Sequence, residues 1–322
     1  MRVQRHLAGV VAGVTTLSVL GGCAAQQIQA LEPKIELRNA AQQLADAQRT
    51  GFVLKVTGNP DDLVAAAGKE ADAATVAQLF NSSITMTTDK GGAGEADDKS
   101  SLAVDVDGVT GTELRFVDGS LYLKAPVKDL AAKFGATPAD IKELSGGAPG
   151  LDALLAGKWI SVDTKQLPGA AAASAKPDAE QQKILAEVTA SATNLLEGAD
   201  VVRDSADDKH LIVTSSTAKG YAEAKRLATA VEPSLASEFP AAPKKDQPVV
   251  IDLWLDGGKF TAAEVNVLQF VEGAQGRVAA RLEFTEGGAI DAPAGATAVD
   301  LSGLLGATGG TMPYLKDLRP AN

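Results

Sequence analysis

Glu113-Leu114-Arg115-Phe116-Val117-Asp118-Gly119-Ser120-Leu121-Tyr122-Leu123-Lys124 alternates apolar and polar residues on both sides of an Asp-Gly pair. Asp-Gly favours the positive φ angles of a type I′ turn, whose twist matches the strands it joins. A two-residue loop fixes the register: Phe116 faces Leu121 and Leu114 faces Leu123 on one side, Arg115 faces Tyr122 and Glu113 faces Lys124 on the other. One face of this hairpin is apolar and the opposite face is charge-paired, the pattern of an antiparallel sheet buried on one side.

The same period continues outward. Ile84, Met86 and Thr88 share one face, and Leu102, Val104 and Val106 repeat it after a Gly-rich acidic loop, so residues 83 to 125 read as an antiparallel meander. Gly157 to Asp163 extends it with a strand carrying Trp159. A second hairpin stands far along the chain, where Val249–Asp256 and Lys259–Leu268 flank Gly257-Gly258. There Leu255 meets Phe260, and Leu253 meets Ala262, on the candidate core face. Further strands are expected at Phe52–Thr57, Val201-Val202, His210–Thr214 and Arg277–Thr285.

Helical spacing separates these strands. Leu37, Ala40, Ala41 and Leu44 mark one helix, and Asn59-Pro60-Asp61-Asp62 opens another with a cap, a first-turn Pro and two carboxylates at the positive end of the dipole. That helical region breaks near Gly68 and reaches Phe80. Thr137-Pro138-Ala139-Asp140 reads as a further helix start. Ile184, Leu185, Val188, Ala192, Leu195 and Leu196 form a long stripe, and Tyr221, Ala224, Ala228, Val231 and Leu235 another, closed by Phe239-Pro240. The order helix, strand, helix, strands occurs twice, which antiparallel α+β proteins produce by default, so the fold class is α+β.

At the other end of the chain, Leu20-Gly21-Gly22-Cys23 closes an apolar run from Leu7 to Leu20 that follows Arg2 and Arg5. The run is too short to span a membrane comfortably and has the form of a signal peptide. Its last four residues have the form of a lipobox: cleavage after Gly22 leaves Cys23 to take a diacylglyceryl group. The chain thus divides into a signal peptide at 1–22, a flexible tether at 23–35, a domain at 36–292 and a loosely packed tail at 293–322, with the Pro, Gly and Ala-rich Leu167–Pro177 as the best candidate for an internal boundary, short enough to be a loop. The implied location is the extracytoplasmic face of the cell membrane, and the implied partners are the membrane, through lipidated Cys23, and lipoprotein-processing enzymes. Cys23 is the only cysteine, so the domain depends on a packed core rather than on internal disulfides. The leader takes two of the 30 basic residues and none of the 41 acidic ones, leaving a formal charge of −13 that disfavours nucleic acid as a partner.

Taken together, the lipobox, "FVLKVTG", "ELRFVDGSLYLK", "GKWISVD", the long helix and "VVIDLWLDGGKFTAAEV" resemble the LolA-like lipoproteins of actinobacteria, the LppX and LprG group. The resemblance covers most of residues 37–285 and implies a strongly curved antiparallel sheet, a half-barrel with helices on its concave side. It also implies that acyl chains of a lipid or glycolipid occupy the space between. The apolar hairpin faces would then line that space through Leu114, Phe116, Leu121, Leu123, Leu253, Leu255 and Phe260. This chain departs from the smaller members by its longer loops and tail. The alternative is a non-catalytic interaction protein of the cell envelope, its half-barrel filled by its own side chains.

Enzyme chemistry has few candidates. His210 is the only histidine after the leader, Asp97-Asp98 and Asp207-Asp208 lack calcium-loop spacing, and the Gly91–Gly94 run leads into an acidic segment that would repel phosphate. No catalytic residue, metal or cofactor is expected, and Trp159 and Trp254 read as core aromatics. The lipobox makes a direct prediction: Cys23→Ser moves the protein out of the detergent phase on Triton X-114 partitioning. Unchanged partitioning would exclude Cys23 as the anchor.

Overall fold

The computed structural model describes residues 23–68, 72–92, 97–137, 151–164, 187, 190–191, 193–231, 241–242 and 244–299. Twelve strands form one open, curled sheet. They are β1 (Arg49–Gly58), β2 (Ser83–Asp89), β3 (Lys99–Val106), β4 (Val109–Val117), β5 (Ser120–Lys124), β6 (Ile160–Asp163), β7 (Asp200–Arg203), β8 (His210–Ser216), β9 (Pro248–Asp256), β10 (Lys259–Asn266), β11 (Val278–Thr285) and β12 (Thr297–Ala298). In space the order is β12-β6-β5-β4-β3-β2-β1-β11-β10-β9-β8-β7. Two meanders, β2 to β6 and β7 to β11, therefore meet where β1 pairs with β11. All neighbours are antiparallel except β12, which runs parallel to β6.

The helices are α1 (Cys23–Asp46), α2 (Pro60–Ala67), α3 (Ala73–Phe80), α4 (Val127–Lys133), α5 (Leu151–Leu155) and α6 (Thr217–Val231), and residues 193–197 are helical as well. Asn59 caps α2 as its sequence indicates, its side chain accepting from Asp61 N at 3.1 Å. The tether expected at 23–35 is helical, because α1 starts at Cys23 and continues through Pro33. Its Ala, Gln, Leu and Glu residues favour a helix even where no apolar period marks one. Helix α4 has no counterpart in the sequence reading. The signal peptide, most of the Thr137–Gly150 segment, the Leu167–Pro177 loop, the end of the helix toward Pro240 and residues 300–322 of the tail lie outside the described residues.

The Asp118-Gly119 hairpin has the register that its sequence dictates, with φ of 50° and 73° at the turn. The Glu113 carboxylate, however, is taken by Arg115 of its own strand at 2.6 Å rather than by Lys124, because Arg115 lies on the same face two residues on. A second Asp-Gly pair, Asp107-Gly108, makes an equivalent turn between β3 and β4 at φ 47° and 79°.

The Gly257-Gly258 hairpin matches at Leu255–Phe260 and then departs from expectation. Ala262 faces Trp254 and Ala263 faces Leu253, so the expected Leu253–Ala262 pair is displaced by a bulge at Thr261. Without the bulge Glu264 would share the apolar face; with it Glu264 opposes Asp252 on the other side. There Arg277 and Arg281 reach its carboxylate at 2.5 and 3.0 Å, although Glu264 is buried.

The helix-bearing inner face is apolar along nearly the whole sheet. One core cluster joins Leu37 and Ala40 of α1 to Ala199, Val201, Leu211, Val213 and Leu255. A smaller one joins Ile160, Val162 and Val299, with Leu123 packed on it. The outer face carries the ions: Lys55 bridges Glu283 at 2.9 Å, and Glu283 and Glu264 share Arg281.

The junction between β1 and β11 leaves no room for side chains at either end. A Cβ on Gly51 would lie 2.1 Å from Thr285 Oγ1, and one on Gly58, at φ 106°, would lie 2.1 Å from the Arg277 carbonyl oxygen. Gly58→Ala is expected to cost at least about 1–3 kcal/mol from backbone strain alone. Gly119→Ala, facing open space at φ 73°, should cost about 1–2 kcal/mol. Urea midpoints of the two variants check this ordering, and a Gly58→Ala protein as stable as wild type would contradict it.

Candidate functional site

Along β9 and the turn that follows it the inner face passes through three different surroundings. Ile251 and Leu253 border a cavity, Leu255 is 2% exposed within the packed cluster under α1, and at the strand's end Gly257 borders a second cavity. Helix α1 thus fills the middle of this half of the sheet through Leu37 and Ala40.

The first cavity holds about 500 Å³, within the range of about 300–1,000 Å³ usual for small-molecule sites. Val213, Ile251 and Leu253 of the sheet form one wall, and Leu195, Leu196, Gly220 and Tyr221 form the helical wall. Phe270, in the 3-10 turn Val267–Phe270, borders it as well. Its lining is almost wholly apolar. The polar exceptions are Ser215, Ser216 and Thr217, where β8 passes into α6. The Ser215 hydroxyl is buried and has no hydrogen-bond partner among the described residues. A buried hydroxyl without a partner costs free energy that a ligand oxygen or nitrogen would recover.

The second cavity, about 670 Å³, lies under the C-terminal half of α1, between Gln43, Leu44 and Ala47 and the rings of Phe260 and Phe284. Arg49, Lys259, Asp256 and Glu286 give it a mixed charged rim. Phe52, Phe260 and Phe284 form an aromatic row beneath, with centroids 5.6 and 5.4 Å apart across Phe284.

The seven apolar residues singled out from the hairpins do not converge. Leu253 borders the first cavity, Phe260 the second, Leu255 is core, and Leu123 packs on the small cluster at the β6 edge. Leu114, Phe116 and Leu121 are half-buried on the same face and border neither cavity. Gly220, Tyr221 and Phe270 complete the first cavity without having been singled out as ligand contacts. Tyr221 belongs to a readable helical stripe, whereas Phe270 sits in a 3-10 turn that no period marks.

The outer face holds the only histidine after the leader. His210 stands between two carboxylates, Nδ1 3.0 Å from Asp204 and Nε2 2.9 Å from Asp252, with its ring stacked on Trp254 at 4.6 Å. Arg281 lies over the same indole at 5.0 Å. The Ala206 N–H, and after it His210, hold the Asp204 carboxyl below its usual range; Lys55, and after it Arg281, do the same for Glu283. Both His210 nitrogens lie within hydrogen-bond distance of carboxylates, one in the loop after β7 and one on β9, so the ring ties neighbouring segments together across the outer face. Trp159 is likewise covered, by Arg115 at 4.9 Å. Among the described residues no group of three or more His, Cys, Asp or Glu side chains is placed to hold a metal.

No family model and no curated protein matches the sequence. Among solved structures, LprF from Mycobacterium bovis aligns at 12% identity over 83% of this chain and 99% of that one, with a TM-score of 0.35. The chain is also similar to lipoprotein LppX of Mycobacterium tuberculosis, at 10% identity over 82% of this chain and 99% of that one, with a TM-score of 0.34.

Proposed function

We propose that this chain is an extracytoplasmic lipoprotein, anchored through Cys23, that holds lipid acyl chains between the inner face of its sheet and the helices. The observation that carries the reading is the first cavity, an apolar space of about 500 Å³ between packed helices and strands. Each methylene moved from water into such a space contributes about 0.8 kcal/mol. The unpartnered Ser215 hydroxyl at one end supplies a donor for an ester or hydroxyl oxygen of the ligand. The packed cluster under α1 separates the two cavities along β9, so a single chain occupies one compartment rather than the whole half-barrel.

Gly220 offers a clean test. It lies in α6 on the cavity wall, and a Cβ there would meet nothing within 4 Å. Glycine inside a helix is about 0.5–1 kcal/mol less favourable than alanine, so Gly220→Ala should raise stability and leave binding intact. Gly220→Trp should fill the cavity and lower affinity for a fluorescent fatty acid at least tenfold while circular dichroism stays unchanged. A folded Gly220→Trp protein that binds the probe as tightly as wild type would contradict the proposal.

A further inference from the structure

One rim of the first cavity is held out to solvent. Phe270 borders the cavity and is 55% exposed, and Val271 beside it is 43% exposed. The turn that presents them is tied down: Leu268 is buried, the Asn266 side chain accepts from the Leu268 N–H at 3.2 Å, and the Val271 N–H donates to the Leu268 carbonyl at 3.0 Å. The Gln269 amide brackets Val250 near the start of β9, accepting from its N–H at 2.8 Å and donating to its carbonyl at 3.1 Å. Val250 is itself 37% exposed. A turn fixed in this way holds its apolar side chains outward, and an exposed apolar patch continuous with an apolar cavity marks an interaction surface.

Two observations favour a bilayer as the partner. Lys244 and Lys245, both exposed, stand just before β9, where Thr217 of the cavity lining donates to the Lys245 carbonyl at 3.4 Å. Apolar side chains flanked by lysines suit a membrane interface, the apolar groups entering the acyl boundary while the ammonium groups meet headgroup phosphates. Helix α1 leaves the domain on the side of this cavity as well: Lys34 donates to the Glu197 carbonyl at 3.5 Å, next to Leu195 and Leu196 of the cavity wall. From Lys34 back to Cys23 the helix continues for only about 16 Å.

We infer that the turn from Val267 to Val271, with Val250, Lys244 and Lys245, docks on a phospholipid bilayer and opens the first cavity toward it. The inference rests on the reading of that cavity as an acyl-chain site and adds the route: a chain passes from bilayer to cavity beside Phe270 without crossing water.

The mature Cys23→Ser chain has no other thiol, so Val271→Cys accepts a single environment-sensitive label such as NBD. Vesicles of phosphatidylcholine and phosphatidylglycerol should shift its emission to the blue. The same label on Ser205→Cys, in the exposed β7–β8 loop at the opposite end of these strands, should not move. In unlabelled protein Val271→Asp should slow uptake of a fluorescent fatty acid from the vesicles at least tenfold and leave its binding from vesicle-free solution unchanged, since Val271 does not line the cavity. Val271→Trp should speed that uptake, and Lys244→Glu with Lys245→Glu should slow it. No shift at 271, an equal shift at 205, or uptake that ignores all of these substitutions would overturn the docking surface. A shift confined to 271 in a protein that binds no fatty acid would uphold the docking surface and fail the acyl-chain reading.

Discussion

The antiparallel pairing of β1 with β11 is the constraint on which the rest of the structure depends. Eight residue pairs, from Gly51–Thr285 to Gly58–Val278, join segments from opposite ends of the chain. Every other antiparallel neighbour except β2 on β1 follows its partner in the same meander. Closing so long a loop costs entropy that grows slowly with length, and the ladder must offset it before either meander acquires a neighbour. Glycines at both ends let the backbones meet. Beyond Gly58, the Asn59 N–H donates to the Arg277 carbonyl and the Arg277 N–H to Asp62, tying the start of α2 to the same junction. The junction also carries the register of one meander into the other, since a slip of one residue would exchange the faces of the entire second half.

What the sheet can do follows from that alignment of faces. The bulge at Thr261 keeps Glu264 off the apolar side, where a carboxylate would have no partner, and delivers it to Arg277 and Arg281. The outer face can then hold an ion-pair lattice from Lys55 to Asp252 while the inner face stays largely apolar across both meanders. A curled sheet of twelve strands presents more inner surface than α1 and α6 cover. Cavities remain under α1 and α6, the exposed Leu54, Ile84 and Met86 lie on the same inner face, and the proposed lipid contacts rest on that face.

Local features of this fold were legible in the sequence because each is written in a few adjacent residues. Asp118-Gly119 with strict alternation determines both turn and register, and Asn59-Pro60 determines the start of α2. The bulge was not legible, since nothing in Lys259 to Glu264 distinguishes Thr261 from an ordinary strand residue. The β1–β11 junction was equally hidden, being a pairing of distant segments. The candidate site was only partly readable for a deeper reason: a packed core and a lipid cavity ask for the same side chains. Leu253, Leu255 and Phe260 look alike in sequence yet border one cavity, fill the core and border the other. What separates them is the position of α1, whose N-terminal half reads as a tether because its apolar residues follow no period.

The central claim is that the space under these helices holds acyl chains, and native mass spectrometry of the folded Cys23→Ser protein purified from a bacterial envelope tests it most directly. The account predicts discrete adducts with the masses of acyl lipids, removed by organic extraction and restored by incubation with lipid vesicles. A folded protein that carries no adduct and takes up none from vesicles would contradict it.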